Sequence, residues 1–160
     1  FIGVHIRRGD FSEPDPTKPF DFSNCWNGRA PIDYFVSAIQ QLRLFIGKSV
    51  KVLVFSDGFD AELKQVLDLE NVVRANKQNE DILDILLLSK CKVILTSPAS
   101  SFSYWAAFLS NAIVLRHQNF IRAGIRSQET NAQYYEGPLS DQMEDWPNLL
   151  KSNLKAISDD

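Results

Sequence analysis

The sequence predicts an α/β fold, a Rossmann-like parallel sheet with helices on both faces. Two observations carry that reading. Short apolar, β-branched runs alternate with segments of helical periodicity along most of the chain, a rhythm that calls for parallel crossovers. Several of the runs also close on polar residues, where a sheet of this kind binds its ligands. Arg7, Arg8 and Asp10 follow the first run, Asp57 ends the second, and Ser100, Ser101 and Ser103 follow a later one.

The elements follow in order. "FIGVHIR" reads as a buried strand ending in charge, and a long polar loop rich in Pro, Asp, Ser and Asn runs from about Gly9 to Ala30. Loops of such length serve binding or closure more often than spacing. Pro31 suits the first position of a helix, Tyr34, Phe35, Ala38, Ile39, Leu42 and Phe45 recur at helical spacing, and Gly47 ends it. "VKVLVFSD" is the clearest strand. An amphipathic helix is expected through "DAELKQVLDL", then a short strand at "NVVRA". "NEDILDILLLSKC" has an asparagine cap and an acidic first turn, the marks of a helix start. "KVILTS" is the next strand, "SSFSYWAAFLSN" a helix opened by serines, and "AIVLR" a further strand. From His117 onward the chain reads as polar and irregular until a terminal helix at "WPNLLKSNLKAI".

With 160 residues the chain suits one domain with a real core. A net charge of −3 argues against non-specific nucleic-acid binding, so the arginine pair is a local feature of an acidic protein. No apolar stretch approaches the length of a membrane span. Cys25 and Cys91 show no metal-ligand spacing. Cys91 sits in an apolar segment and reads as a buried free thiol, which fits a reducing cytoplasm. Phe1 already lies inside an apparent strand without an initiator methionine, so the expectation is a fragment of a longer chain. Neither G-x-G-x-x-G nor a Walker-type phosphate loop occurs.

The polar residues admit two readings each. Arginine is suited to bidentate phosphate recognition, yet the pair also reads as a surface ion pair with Asp10. Neighbouring strand residues face opposite ways, so one arginine faces a ligand while the other reaches back into the loop, toward Asp10. The serine-opened helix offers free N–H groups and positive dipole to a phosphate, and it equally reads as N-capping by Ser100 or Ser101. Tyr104, Trp105 and Phe108 read as core contacts. Asp84, on an otherwise apolar face, suits the N1–H and N2 amino group of a guanine, or is merely exposed. His5 reads as a core histidine. His117 and Cys25 show no partner in the sequence. An adhesive role for "RGD" is discounted because the tripeptide begins at a buried strand's end.

In combination, "VHIRRGDF", "VFSD" and "DILLLSKCKVILTSPASSFSYWAAFL" resemble the donor-binding half of alpha-1,2-fucosyltransferases over residues 1–116. "LSKCKVILTSPASSFSYW" departs from that family's second signature by two extra residues around Pro98 and by Tyr104-Trp105 in place of a tryptophan pair. The resemblance implies the C-terminal half of a GT-B glycosyltransferase, a single nucleotide-sugar-binding domain over residues 1–160. It implies an inverting enzyme that needs no metal or other cofactor, has GDP-fucose as donor and transfers fucose to a glycan acceptor. An N-terminal acceptor domain is then expected to precede residue 1. Arg7 falls where the family contacts the donor diphosphate, with Arg8 secondary or structural and Asp10 completing the motif. His5 and Asp84 fall where relatives contact the nucleoside. Ser101, Phe102 and Ser103 fall where relatives contact phosphate, with Ser100 beside them. Two rivals stay open, a non-catalytic nucleotide- or phosphate-binding module and a structural, partner-binding domain of the same fold.

Overall fold

The computed structural model describes residues 1–15, 17, 27–47, 50–120 and 123–158. Six strands form one all-parallel sheet: β1 (Ile2–Ile6), β2 (Val52–Ser56), β3 (Val72–Arg74), β4 (Val93–Leu95), β5 (Ile113–Arg116) and β6 (Glu136–Pro138). Their spatial order is β3-β2-β1-β4-β5-β6, so the chain winds outward from β1 in both directions. This is the doubly wound Rossmann order, as the sequence predicts, and its winding reverses between the paired neighbours β1 and β4, the switch point at which such sheets form a crevice.

The strands form where the apolar runs are because both faces of the sheet are covered. Ile2, Val4 and Ile6 of β1, with Val52, Val54, Val93 and Leu95, face one core. Over it lie α1 (Ile32–Ile46), the single turn α2 (Lys64–Leu67) and α6 (Asn148–Ser158). Phe35, Ala38, Ile39, Leu42 and Ile46 give α1 its buried stripe, and Leu150 and Leu154 do the same for α6. Each such large side chain contributes about 1.5–3 kcal/mol by leaving water. Phe55 and Ile94 face the other core, beneath α3 (Asp81–Ser89) and α4 (Ser101–Phe108), where Leu88 and Ala106 pack. Pro31 stands at the N-cap of α1, and Gly47, at φ 114°, ends it in a conformation that side chains disfavour.

Several expectations need correction. The helix expected through 60–69 shrinks to one turn. Asp60 is drawn to Arg74 and Lys77, and Glu62 to Arg29, so the residues before Lys64 follow turns instead. Asn79 does not cap α3. Glu80 is the N-cap residue, without a side-chain cap, and Asn79 donates to Asp84 Oδ1 at 2.7 Å. The stretch after His117 is more regular than predicted, carrying α5 (Gln128–Gln133) and β6. A charge network holds this edge strand without an apolar run. The buried Glu136 carboxylate accepts the Ile125 and Arg126 N–H groups at 2.6 and 3.2 Å and pairs with the guanidinium groups of Arg116 and Arg126. His117 is buried against Tyr34, ring centroids 4.5 Å apart, and its Nδ1 accepts the Asn119 N–H.

Cys91 is buried and free as predicted, and burial pushes its thiol up to about 11. Cys25 lies outside the described residues. No helix among the described residues is long and apolar enough to cross a membrane.

Candidate functional site

The carboxyl edge of the sheet at β1 and β4 gathers most of the residues singled out in the sequence. Register explains how. Ile6 pairs with Ser56, so the residues that follow, Arg7 and Asp57, leave their strands side by side. Ser56 Oγ donates to Ile6 O at 2.6 Å and accepts the Gly58 N–H at 3.0 Å, tying the two strand ends together. On the other side of β1, Ser97 Oγ accepts the Arg7 N–H at 3.0 Å.

The two arginines separate as strand alternation requires. Arg7 is about one-third exposed at the mouth of the crevice. Its Nη1 meets Asp57 Oδ2 and its Nη2 meets Asp10 Oδ1, each at 2.7 Å. Its guanidinium also lies 5.7 Å from the Phe11 ring centroid, within cation–π range. The hydrogen bond from Arg7 holds the exposed Asp10 carboxyl below its ordinary value. Arg8 is buried, and Nη1 donates to Ala30 O at 3.0 Å, just before α1. Burial, then the neighbouring Arg29, lowers its pKa, and Nε finds no partner among the described residues. Asp10 therefore belongs to Arg7 and not to Arg8, the reverse of the sequence expectation. Arg8 follows the side of β1 that carries Ile2, Val4 and Ile6 into the core and reaches Ala30 O, which leaves Asp10 to Arg7.

Asp57 is a central residue of the site that sequence reasoning left without a role. Beyond its pairing with Arg7, Oδ1 accepts the Arg8 N–H at 2.7 Å. The carboxylate lies so close to Gly9 that a Cβ there would stand 2.3 Å from Oδ2, so the glycine of "RRGD" is required by close approach. Arg29 was also missed. Its Nε donates to the carbonyls of Arg8 and Phe11, at 3.1 and 2.8 Å, and its Nη1 pairs with Glu13 and Glu62. It fastens the loop after β1 from behind.

His5 is buried and stacks on Phe102, centroids 4.6 Å apart and planes 20° from parallel. Burial, with Asp57 opposing and Arg7 adding, depresses its pKa to about 3. The imidazole is therefore neutral near pH 7 and supplies no positive charge to an anion. Its stack on Phe102 sets the start of α4 against the end of β1. There Ala99 takes a left-handed φ of 57°, and Ser100 at the N-cap makes no side-chain cap. The first N–H groups of such a helix lack intrahelical partners and attract anions. Ser101 is exposed, whereas Ser103 is fully buried with its hydroxyl directed to Ser100 O and Ser97 O, at 3.2 and 3.4 Å. Ser103 thus offers a backbone N–H, not a hydroxyl. Asp84 stands in the first turn of α3 on the same edge of the sheet, half-buried and held by Asn79. No cluster of three metal-ligating side chains occurs among the described residues.

A cleft of about 730 Å³ lies between the C-terminal ends of α3 and α4 and the α5–α6 region, at the opposite edge of the sheet. Its most buried polar groups are committed elsewhere. Arg126 donates to the carbonyls of Ser110, Ala112, Tyr134 and Tyr135, and Ser110 Oγ donates to Ala107 O.

A six-stranded, all-parallel, doubly wound sheet places the chain in the Rossmann-like α/β class of domain. Within that class the chain belongs to glycosyl transferase family 11, the alpha-1,2-fucosyltransferase family, whose model matches residues 1–136. The match runs past the residues that carry the resemblance in the sequence, through α5 to the first residue of β6. No curated protein and no solved structure gives a significant match.

Proposed function

We propose that the crevice binds the diphosphate of GDP-fucose, and that the chain is the donor-binding domain of an inverting, metal-independent fucosyltransferase of alpha-1,2 type. One observation carries this reading. Arg7 holds its guanidinium at the switch-point mouth and already grips a carboxylate, Asp10, whose side chain is 77% exposed. An exposed anion on an always-charged fork is a stand-in that a phosphate can displace. The N–H groups of Ser101, Phe102 and Ser103 supply further donors, and Asp84 the acceptors for a guanine edge.

Transfer breaks the bond between the anomeric carbon of fucose and the β-phosphate oxygen as a glycan hydroxyl attacks the opposite face. The bonding electron pair stays on GDP, and the attacking hydroxyl gives up its proton to a general base or to water. Arg7 and the start of α4 face that growing charge with donors already in place, the electrostatic role that a metal fills in other transferases. His5, being neutral, shapes the nucleoside end through its stack with Phe102.

Calorimetric titration tests the reading. GDP is expected to bind, and ADP and UDP distinctly more weakly, because adenine has no N1–H and uracil lacks the amino group. Equal affinities would remove the guanine assignment. Absence of binding by all three would return the chain to a structural role.

A further inference from the structure

Arg7 is built on a long flexible stem, yet its fork stands at one place. We infer that Asp57 is the residue that positions it, and that the two carboxylates on Arg7 have opposite roles. This rests on the reading of Arg7 as the phosphate contact. Asp57 is suited to the task because it is itself fixed. Oδ1 is bound to the backbone N–H of Arg8, Oδ2 lies against Gly9, and the Ile6–Ser56 register brings both strand ends together. Its side chain is 31% exposed, and it reaches Nη1 at 2.7 Å from a neighbouring strand. Asp10 differs in each respect. It lies three residues beyond Arg7 on the same loop, is far more exposed, and reaches Nη2 instead. Asp57 therefore anchors one side of the fork, and Asp10 occupies the side that an incoming phosphate takes over. Asp57 touches no ligand in this arrangement and acts through Arg7.

A double-mutant cycle with a mobility measurement decides the matter. Asp57→Asn retains an acceptor for the Arg8 N–H and removes the negative charge that faces the Arg7 guanidinium. It is expected to weaken GDP binding about tenfold or more, and the loss is expected to vanish when Arg7 is already alanine. Asp10→Asn is expected to tighten GDP binding, because the carboxylate that competes for the phosphate side of the fork is gone. In the ligand-free chain, the Arg7 Nε–H NMR signal is expected to report a restrained side chain that loosens in Asp57→Asn and not in Asp10→Asn. Losses that add across the cycle would show Asp57 acting through general structure and overturn the inference, as would a fork equally ordered without Asp57. If the unmodified chain binds no GDP, the nucleotide reading fails, and the NMR comparison alone judges the positioning role.

Discussion

Arg7 and Arg8 are neighbours in sequence with separable duties, so alanine at each is expected to give opposite signatures. Arg7→Ala removes two partly exposed ion pairs, to Asp10 and Asp57. Pairs of that kind contribute about 0–1 kcal/mol each, so the loss of stability is about 1 kcal/mol. For a chain of this length that lowers the thermal midpoint by roughly 2–4 °C. The loss of a charged partner to a desolvated phosphate costs about 2–5 kcal/mol, or roughly 30-fold to several thousand-fold in GDP affinity. Arg8→Ala deletes a buried side chain and its bond to Ala30 O, at a cost of about 2 kcal/mol or more in stability. Yet it keeps the backbone N–H that Asp57 accepts, so Arg7 stays in place and GDP affinity changes little. Arg7→Lys is expected to fall well short of the native chain, because an ammonium cannot reproduce the fork. Calorimetry for GDP and differential scanning fluorimetry for the midpoint give both readouts on all three variants. An Arg7→Ala chain that binds GDP like the native one would refute the phosphate assignment, and an Arg8→Ala chain of native stability would refute the packing argument.

Further outcomes follow from the same geometry. His5 has a folded pKa near 3 against an ordinary 6.5, so the unfolded chain binds the extra proton between those values and stability falls as pH drops from 6.5 toward 3. Each pH unit in that window costs about 1.4 kcal/mol per proton, and urea titrations at pH 7 and 5 are expected to show a smaller loss in His5→Gln than in the native chain. Glu136→Gln leaves the guanidinium groups of Arg116 and Arg126 facing a neutral group and is expected to cost about 3 kcal/mol, read as a lowered thermal midpoint. Asp84→Asn is expected to erase the preference for GDP over ADP while leaving pyrophosphate affinity unchanged, and a retained preference would disprove the guanine contact. GDP binding is expected to persist in a chelator, since arginine and helix N–H groups serve the phosphates, and its loss in EDTA would contradict the proposed metal independence.

The sheet was legible where burial on two faces forces apolar runs, as in β1, β2, β4 and β5. β6 was not, because "EGP" carries no such run. An edge strand needs no second apolar face, and buried charge from Glu136 and Arg126 holds this one. The asparagine before α3 looked like a cap because caps and turn residues share the same chemistry, and only the fold shows Asn79 spent on Asp84. At the site, alternation along β1 separated Arg7 from Arg8 in advance. The owner of Asp10 and the role of Asp57 depended on which strand lies beside β1 and in what register, which no local pattern encodes. Ser103 illustrates a further limit. A serine at a helix start reads as a donor to a ligand until its hydroxyl is found turned onto a carbonyl of its own loop.

The central position of β1 has a consequence in time. Ile2 pairs with Val52 on one side and with Val93 on the other, so the strand that carries Arg7 is made long before either neighbour. At ribosomal rates of about 5–20 residues per second, some five to twenty seconds separate its synthesis from that of β4. Until β2 is made "IGVHI" is an apolar segment with both edges unpaired, and one edge stays open until β4 arrives, the condition in which nascent strands associate wrongly. The crevice consequently cannot form before β4 is made, because its two walls come from opposite ends of that wait. Slowed synthesis between residues 52 and 93 would prolong the exposure, while substitutions in β5 or β6 act only after the central strands have met.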